Sequence, residues 1–411
     1  MALGQEPFSA ERSIWYVAGV DVNAGSGAFA PYYISSNQHG TVTQAKSVQL
    51  RVQAHKPLEL AKRFSWGAGI DVMADAANAT DYMLYSEASG AWVANRQRPS
   101  AFRLQQLYGR LKWRSLFLTV GLKQHESALL NNRLASGDLV ESGNARPIPE
   151  IRAGFLDFRD IPLTGGWLQL QGEVAYGKPT DSDWLRNHFN HYNYFVTTGW
   201  LYHYKRVYFR TRPAANLSVT FGMQAAGQIS GTQHNYQHGR LDWVKHDPFR
   251  FRDLVDMFFT RADDSYYKGN HVGSWDMKAR YRLPQGDQVY AYFQWPWEDG
   301  SGIGKLNGLD GTWGLEWRRS TSGIVSGLVA EVLYFMNQSG PIHCDPEDLP
   351  GTDIPVHTDG SDDYYNNYFY NGYAYYGMGI GSPVFPSPIY NTDGYMRYAD
   401  TRLRGFHIGL S

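Results

Sequence analysis

The sequence contains a single cysteine and no long apolar run. Cys344 has no partner within the chain, so neither an intramolecular disulfide nor a site with several thiolates can form. A transmembrane helix requires about 18 consecutive apolar residues. No stretch of this sequence approaches that length, and the mean hydropathy is −0.46. The sequence therefore excludes disulfide-stapled domains and helical membrane proteins.

A strong charge of either sign is also missing. Lys and Arg total 38 against 39 Asp and Glu, which gives a formal net charge of −1. A nucleic-acid-binding domain needs a basic surface to neutralise phosphates, and this balance provides none. We therefore expect no nucleic-acid partner.

Segments of the chain alternate apolar and polar side chains with the period of a β-strand. Val48, Leu50 and Val52 fall on one face, for example, and Gln49 and Arg51 on the other. Fourteen such segments are predicted as strands: 13–22, 45–55, 64–74, 102–111, 116–124, 148–158, 166–176, 196–210, 217–228, 273–283, 288–297, 312–319, 325–336 and 402–410. A soluble β-sandwich alternates in the same way, so the pattern alone leaves that alternative open.

The connections between these segments alternate in length. The short ones are 56–63, 112–115, 159–165, 211–216, 284–287 and 320–323, and the long ones are 23–44, 75–101, 125–147, 177–195, 229–272, 298–311 and 337–401. Long connections are uncommon in compact soluble domains, whereas outer-membrane barrels combine short periplasmic turns with long outer loops. The sequence therefore predicts an all-β fold, a single antiparallel transmembrane β-barrel over residues 1–411. It would lie in the outer membrane of a Gram-negative bacterium, in contact with its lipid.

Both ends of the chain differ from those of a complete, unprocessed barrel. Residues 1–10 have neither a basic start nor an apolar core, so we expect a secretion signal to have been removed or replaced. The last strand stops at Leu410 and Ser411 in mid-alternation. We therefore expect strands beyond this point to be missing.

Four longer motifs are distributed over nearly the whole chain. They are residues 131–152 (NNRLASGDLVESGNARPIPEIR), 166–177 (GWLQLQGEVAYG), 36–40 (SNQHG) and 362–367 (DDYYNN). These motifs resemble the capsule assembly Wzi family of outer-membrane proteins. The resemblance implies an eighteen-stranded barrel with an occluded lumen, which acts as a lectin and holds capsular polysaccharide on the cell surface.

The sequence departs from that family in two respects. The fourteen predicted strands are four fewer than the family number, which favours loss of C-terminal strands over a smaller closed barrel. The family barrel also carries helices at its periplasmic end. The best helical candidate here, residues 248–261 (PFRFRDLVDMFFTR), instead falls in a predicted outer connection.

The outer connection 337–401 has the most distinctive composition of the chain, because tyrosine and asparagine dominate residues 364–376 (YYNNYFYNGYAYY). Aromatic rings stack on the apolar faces of sugar rings, and asparagine amides pair with hydroxyls. We predict carbohydrate contacts from Tyr364, Tyr365, Asn366, Asn367, Tyr373, Tyr375 and Tyr376. Such residues also pack loops together or mark the membrane interface, and that alternative stays open.

Carboxylates and histidines show no spacing that establishes a metal or catalytic site. Asp359, Asp362 and Asp363 lack the order of a Ca²⁺-binding loop, so a solvated loop is favoured. The carboxylate pairs at 263–264 and 298–299 are sequence neighbours, which does not establish the separation that glycoside hydrolysis needs.

The motif HNYQH at 234–238 would align its histidines only on a helix, and none is predicted there. The motifs GxSxG and Walker A are missing as well. We therefore predict no catalytic residue, no metal and no cofactor.

Charged side chains of both signs fall on the polar face of the predicted strands. They are Arg51, Glu173, Lys278, Arg280, Arg282, Glu316 and Arg318. Ion pairing across the lumen is the favoured interpretation, and attraction of an acidic polysaccharide to the arginines is the alternative.

The sequence thus indicates an outer-membrane lectin that is not an enzyme. Its expected partners are capsular or exopolysaccharide, outer-membrane lipid and the capsule export machinery. A diffusion or transport barrel with an open lumen is the alternative, and an outer-membrane hydrolase is a third hypothesis.

Overall fold

A computed structural model describes residues 14–259, 269–298, 303–305, 307–338, 363–367 and 369–411. Its main feature is an antiparallel sheet in which strands that follow each other along the path pair as neighbours. The strands are β1 Trp15–Phe29, β2 Gln44–Lys56, β3 Phe64–Ala77, β4 Phe102–Trp113, β5 Leu116–Leu122, β6 Pro149–Phe155, β7 Leu168–Gly177, β8 Leu201–Ala214, β9 Leu217–Ile229, β10 Asn270–Arg282, β11 Gln288–Trp297, β12 Gly311–Arg318, β13 Gly327–Phe335 and β14 Leu403–Leu410. Each predicted strand corresponds to one of these, so the strand prediction is confirmed.

The two faces of this sheet carry opposite kinds of side chain. In β2, Val48 and Leu50 are each 51% exposed, whereas Gln49 between them is 2% exposed. The same inversion recurs along the sheet, with exposed Trp66, Ile70, Leu111, Val120, Ile151, Phe221, Met277, Leu315, Val332 and Phe406. A soluble sandwich buries its apolar face, whereas a transmembrane barrel turns that face to lipid and its polar face to the lumen. The fold is therefore a transmembrane β-barrel.

Short turns lie at one rim of the barrel. Arg114 adopts φ 56° in the tight turn between β4 and β5. Between β10 and β11, Gly286 adopts φ 98°, a value that L side chains rarely take. The Leu283 N–H donates there to the Asp287 carbonyl at 2.8 Å, which closes the turn.

Long connections lie at the opposite rim, called the outer rim below. They are formed by the described residues within 30–43, 78–101, 123–148, 178–200, 230–269, 298–310 and 336–402. The predicted alternation of short and long connections is confirmed.

The outer connections carry secondary structure of their own. One hairpin pairs Thr80–Ser86 with Ala91–Gln97, and a three-stranded sheet joins Tyr194–Thr198, Gly231–Gln237 and Arg240–Asp247. The helices are α1 Tyr32–Ser35, α2 Ser182–His188 and α3 Phe251–Phe259, with a 3₁₀ turn at Pro388–Tyr390. Two-residue strands Ala374–Tyr375 and Met378–Gly379 pair with each other. At the opposite rim, Arg159–Asp160 in the short connection between β6 and β7 pairs with β7.

Helix α3 coincides with the predicted helical segment and lies in an outer connection, as the sequence predicted. In the described part of the chain, α1 and α2 also belong to outer connections. Among these residues no helix is long and apolar enough to cross a membrane.

Two outer connections enter the lumen and pack against its wall. They are residues 123–148 and the described residues between 363 and 398, together called the plug. Leu139 and Val140 of the first part form one buried cluster with Tyr365 and Tyr373 of the second. The wall contributes Tyr202, Tyr204, Val272 and Phe335 to the same cluster. The outer part of the lumen is therefore filled by protein, in agreement with the occluded lumen that the family resemblance implies.

Candidate functional site

A buried ion network holds the plug to the wall. The Arg152 guanidinium on β6 is 2% exposed and donates to Glu141 of the plug at 2.6 Å. It also donates to Glu150 at 2.6 Å and to Glu173 at 2.8 Å, both on the wall. Removal of one partner from a buried ion pair is strongly destabilising, because the other charge stays buried without a counterion. The plug is thus tied to β6 and β7 by charge.

Further hydrogen bonds reach the opposite side of the lumen. Asp138 of the plug accepts from Gln224 on β9 at 2.7 Å and from Gln294 on β11 at 3.2 Å. The Ser136 N–H donates to Glu331 on β13 at 2.7 Å. Gln224, Gln294 and Glu331 are inward-facing polar side chains, so the polar face of the wall binds the plug.

Most of the lumen charges are paired, but the pairs join the same or nearby strands of the wall instead of crossing the lumen as predicted. Arg51 pairs with Asp71 at 2.5 Å, and Lys278 pairs with Glu316 at 3.3 Å. Arg318 also binds Glu316, and Glu173 binds Arg152 and Arg206. Within the described ranges no ion pair is found for Arg280 or Arg282.

The structure buries four of the seven residues predicted to contact carbohydrate. Tyr373 is 0% exposed, Tyr364 and Tyr375 are 2% exposed, and Tyr365 is 3% exposed. A ring without accessible faces cannot stack on an external sugar. These four side chains therefore belong to the interior of the plug.

Protein groups also satisfy the hydroxyls of these four tyrosines. Tyr364 donates to the Asp310 carboxylate at 2.9 Å, and Tyr365 donates to the Leu139 carbonyl at 2.5 Å. Tyr373 donates to the Val140 carbonyl at 2.9 Å, and Tyr375 shares a 2.7 Å hydrogen bond with Thr180. These four tyrosines therefore pack loops together, which is the alternative that the sequence left open.

The other three predicted residues are partly buried. Asn366 donates to the Tyr398 carbonyl at 2.7 Å, and the Asn367 side chain accepts from the Phe369 N–H at 2.9 Å. The Arg146 guanidinium lies 4.2 Å from the centre of the Tyr376 ring. Carbohydrate contact stays a prediction for these three.

A separate group of aromatic rings, called the outer aromatic cluster, lies at the outer rim. It consists of Tyr85, Trp92, Tyr192 and His238. The Tyr85 ring centre is 5.6 Å from that of Trp92 and 4.9 Å from that of Tyr192, and Trp92 and Tyr192 are 4.8 Å apart. Trp92 is 41% exposed, so this cluster offers an aromatic face to a ligand.

Three outer connections hold this cluster together. The Tyr85 N–H donates to the Asn190 carbonyl at 2.8 Å, and Asn95 donates to the Asn187 carbonyl at 2.8 Å. The backbone at Gly239 leaves no room for a Cβ, which would lie 2.0 Å from the Tyr85 ring. The cluster is therefore a rigid meeting point of connections 78–101, 178–200 and 230–269.

Sequence reasoning missed this cluster because its rings come from distant parts of the chain. One local signal was available. Tyr85 and Trp92 flank a turn that contains Gly90, and they face each other across the hairpin. A cross-strand aromatic pair of this kind stabilises a hairpin.

His188, which is buried close to this region, is expected to make the stability of the folded outer connections depend on pH. Its ring is 2% exposed, stacks 4.3 Å from Trp184 and shares a 2.8 Å hydrogen bond with Gln97. Burial lowers the pKa of His188 to about 3. The ordered state therefore holds the imidazole neutral, and an opened loop binds a proton near pH 6.5. The ordered state loses stability as the pH falls below that value.

We expect acidification from pH 7 to pH 5 to cost the ordered α2 region about 2 kcal/mol through His188. Hydrogen exchange of amides in residues 182–198, corrected for intrinsic rates, measures this opening. His188→Gln keeps an amide beside Gln97 and removes this titration. On acidification, wild type is therefore expected to lose about 2 kcal/mol more protection than the variant. Burial raises the pKa of Asp181 to about 6, which acts in the opposite direction in both proteins. The same pH response in wild type and variant would contradict the prediction.

The remaining candidates for metal or acid–base chemistry give no site. Asp263, Asp264, Asp299, Asp359 and Asp362 lie outside the described residues. The motif at 234–238 lies on a strand and the turn after it, not on a helix. In the ranges that the structure covers, no group of three His, Cys, Asp or Glu side chains could hold a metal ion.

Comparison with known proteins finds similar folds only among solved structures. No protein-family model and no curated protein sequence matches the chain. The outer-membrane protein Wzi of Escherichia coli, described as a carbohydrate-binding β-barrel involved in group 1 capsule assembly, has 12% identity and a TM-score of 0.48 over 90% of this chain. The chain spans 63% of the length of that protein.

Variants of a Rhodopseudomonas blastica porin are also similar. One has 11% identity and a TM-score of 0.27, with 70% of this chain and 85% of the porin covered. A second has 11% identity and a TM-score of 0.27, with 78% and 94% covered. These likenesses are weak, and the fold assignment rests on the chain's own strand pairing and outward apolar band. Barrels of this kind span the outer membrane of Gram-negative bacteria, which is where this protein belongs.

Proposed function

We propose that this protein is a non-enzymatic outer-membrane lectin of the capsule assembly Wzi type. It binds capsular or exopolysaccharide at its outer rim and holds the polymer on the cell surface. The observation that carries this proposal is the plug. Contacts of Asp138 and Arg152 hold it inside the lumen. In a diffusion barrel, solutes pass through that space. A barrel with a filled lumen acts through its exposed outer surface.

The outer aromatic cluster supplies the chemistry for sugar recognition. Its rings present a partly exposed face, and Asn193 lies beside it, where its side-chain oxygen accepts the His238 N–H. Tyr376, Asn366 and Asn367 keep some exposure and are proposed as further contacts. Contact with the capsule export machinery is proposed from the family resemblance alone.

The first test is binding of the detergent-purified chain to capsular polysaccharide from its own source, combined with conductance in planar bilayers. Saturable binding without steady single-channel conductance is the expected result. Steady conductance without binding would favour the diffusion barrel instead. Hydrolysis of the polymer during the assay would favour the hydrolase.

Trp92→Ala is expected to weaken polysaccharide binding about tenfold, because stacking on an exposed aromatic face contributes roughly 1 kcal/mol or slightly more. Trp243→Ala is the matched control, since Trp243 is also 41% exposed and lies in the outer three-stranded sheet. Isothermal titration with the same polysaccharide measures both affinities. Equal affinities of the two variants would show that the outer aromatic cluster does not bind the polysaccharide.

A further inference from the structure

Helix α3 packs on the outside of the barrel wall. Its Met257 lies over Gly227 of β9, where an added Cβ would come within 2.2 Å of the Met257 methyl carbon. The outward-facing Tyr176 of β7 donates to the Leu254 carbonyl at 2.8 Å. The Lys205 ammonium of β8 donates to the Met257 carbonyl at 2.9 Å and to the Phe258 carbonyl at 2.6 Å. These contacts hold α3 against β7, β8 and β9.

A cavity of about 810 Å³ separates α3 and the segment before it from the neighbouring wall. Its floor is a row of four outward-facing residues on the neighbouring strands β5 to β8. Val120 pairs with Ile151, Ile151 with Tyr176 and Tyr176 with His203. Leu254, Met257 and Phe249 line the side formed by the α3 region. Most of these lining side chains are apolar.

The floor of this cavity continues the lipid-facing surface of the barrel. Val120 is 49% exposed and Ile151 is 57% exposed, values that match those of the outward band elsewhere. Large apolar side chains of α3 are exposed as well, with Phe251 79% and Phe259 60% exposed, beside the exposed Arg252 that pairs with Asp256 at 3.4 Å. An amphipathic helix with such a face lies in the membrane interface. A cavity in this position therefore faces the outer leaflet.

Basic side chains lie at the same rim. Lys178 lines the cavity and is exposed, and Arg250 is exposed one residue after Phe249. Among the acidic side chains that line the cavity, Glu150 is bound by Arg152, which leaves Asp247 to oppose these cations. An anionic head group is therefore favoured beside the apolar floor.

We propose that the cavity between α3 and the wall strands β5–β8 is a binding site for a phosphorylated lipid of the outer leaflet. One acyl chain occupies the floor formed by Val120, Ile151 and Tyr176. Lys178, which lines the cavity, faces the phosphate. This site is separate from the proposed polysaccharide site, because its floor lies on the membrane side of the wall and no residue of the outer aromatic cluster lines the cavity.

Native mass spectrometry of the full chain with diphosphorylated lipid A in a non-ionic detergent tests this proposal. Wild type is expected to retain one lipid per chain. Ile151→Trp fills the floor and is expected to lower retention about tenfold. Leu50→Trp is the matched control, because Leu50 is 51% exposed on the outward face of β2, away from α3. Absence of retained lipid in wild type, or equal retention by both variants, would overturn the proposal.

Lys178→Ala tests the head group without changing the floor. Its retention of diphosphorylated lipid A is expected to fall several-fold, while retention of the dephosphorylated lipid stays at the wild-type value. An equal fall for both lipids would overturn the assignment of Lys178 to the phosphate.

Discussion

Arg152→Met is expected to destabilise the folded barrel by about 3–5 kcal/mol and to release the plug. The side chain is 2% exposed and binds Glu141, Glu150 and Glu173, so its removal leaves buried carboxylates without their shared cation. His125 stays beside Glu150 at 2.8 Å and Arg206 stays beside Glu173 at 3.2 Å. Glu141 of the plug therefore loses the most.

Two measurements check this expectation. The unfolding midpoint in denaturant should fall, and conductance in planar bilayers should rise as the plug leaves the lumen. Arg240→Met is the control, because its pairing with Glu87 at 3.6 Å joins side chains that are 80% and 66% exposed. Exposed pairs contribute about 0–1 kcal/mol. An unfolding midpoint of Arg152→Met equal to that of the control would show that the network does not hold the plug.

Tyr373→Ala is expected to cost about 3–5 kcal/mol, the range for deleting a fully buried aromatic side chain. Its ring is 0% exposed and lies 5.8 Å from that of Tyr365 in the plug. Tyr373→Phe removes the hydroxyl that donates to the Val140 carbonyl but keeps the ring, and it is expected to cost about 1 kcal/mol. Denaturant unfolding of both variants measures the difference.

The same pair of variants separates a packing role from a carbohydrate-binding role. Tyr373→Phe is expected to bind polysaccharide with wild-type affinity, because the lost hydroxyl faces the Val140 carbonyl inside the plug. Tyr33→Ala serves as the control for surface truncation, since Tyr33 is 78% exposed in an outer connection. Weaker polysaccharide binding by Tyr373→Phe at an unchanged unfolding midpoint would show that Tyr373 contacts the polysaccharide.

The strands could be read from the sequence because the membrane imposes the pattern. A side chain at an outward position of β2 meets lipid and its neighbour meets the lumen, so Val48 and Gln49 differ in kind as well as in exposure. The pattern stops where the strand leaves the membrane. Strand β1 was predicted to end at residue 22, yet it continues to Phe29 through a stretch rich in Gly and Ala that does not alternate. The hairpin and the three-stranded sheet of the outer connections escaped prediction for the same reason.

The tyrosine segment shows where composition stops being informative. A tyrosine ring suits a sugar face and a protein interior equally well, and the two roles differ only in what lies on either side of the ring. For Tyr365 the neighbours are Phe385 and Tyr398 of the same connection and Leu139 of another. Leu139 is far from Tyr365 in sequence, so no local pattern could reveal the contact.

The sequence by itself determined the fourteen wall strands of the described residues, the strand faces, the rim that carries the long connections and the place of helix α3. These features follow from the period of two along a strand and from the difference between lipid and water. Only the tertiary structure decided that two connections fill the lumen, that four tyrosines are buried there and that Tyr85, Trp92 and Tyr192 meet at the outer rim. Such contacts join residues far apart in the chain, and their energies depend on a shared geometry that exists only after the wall has formed.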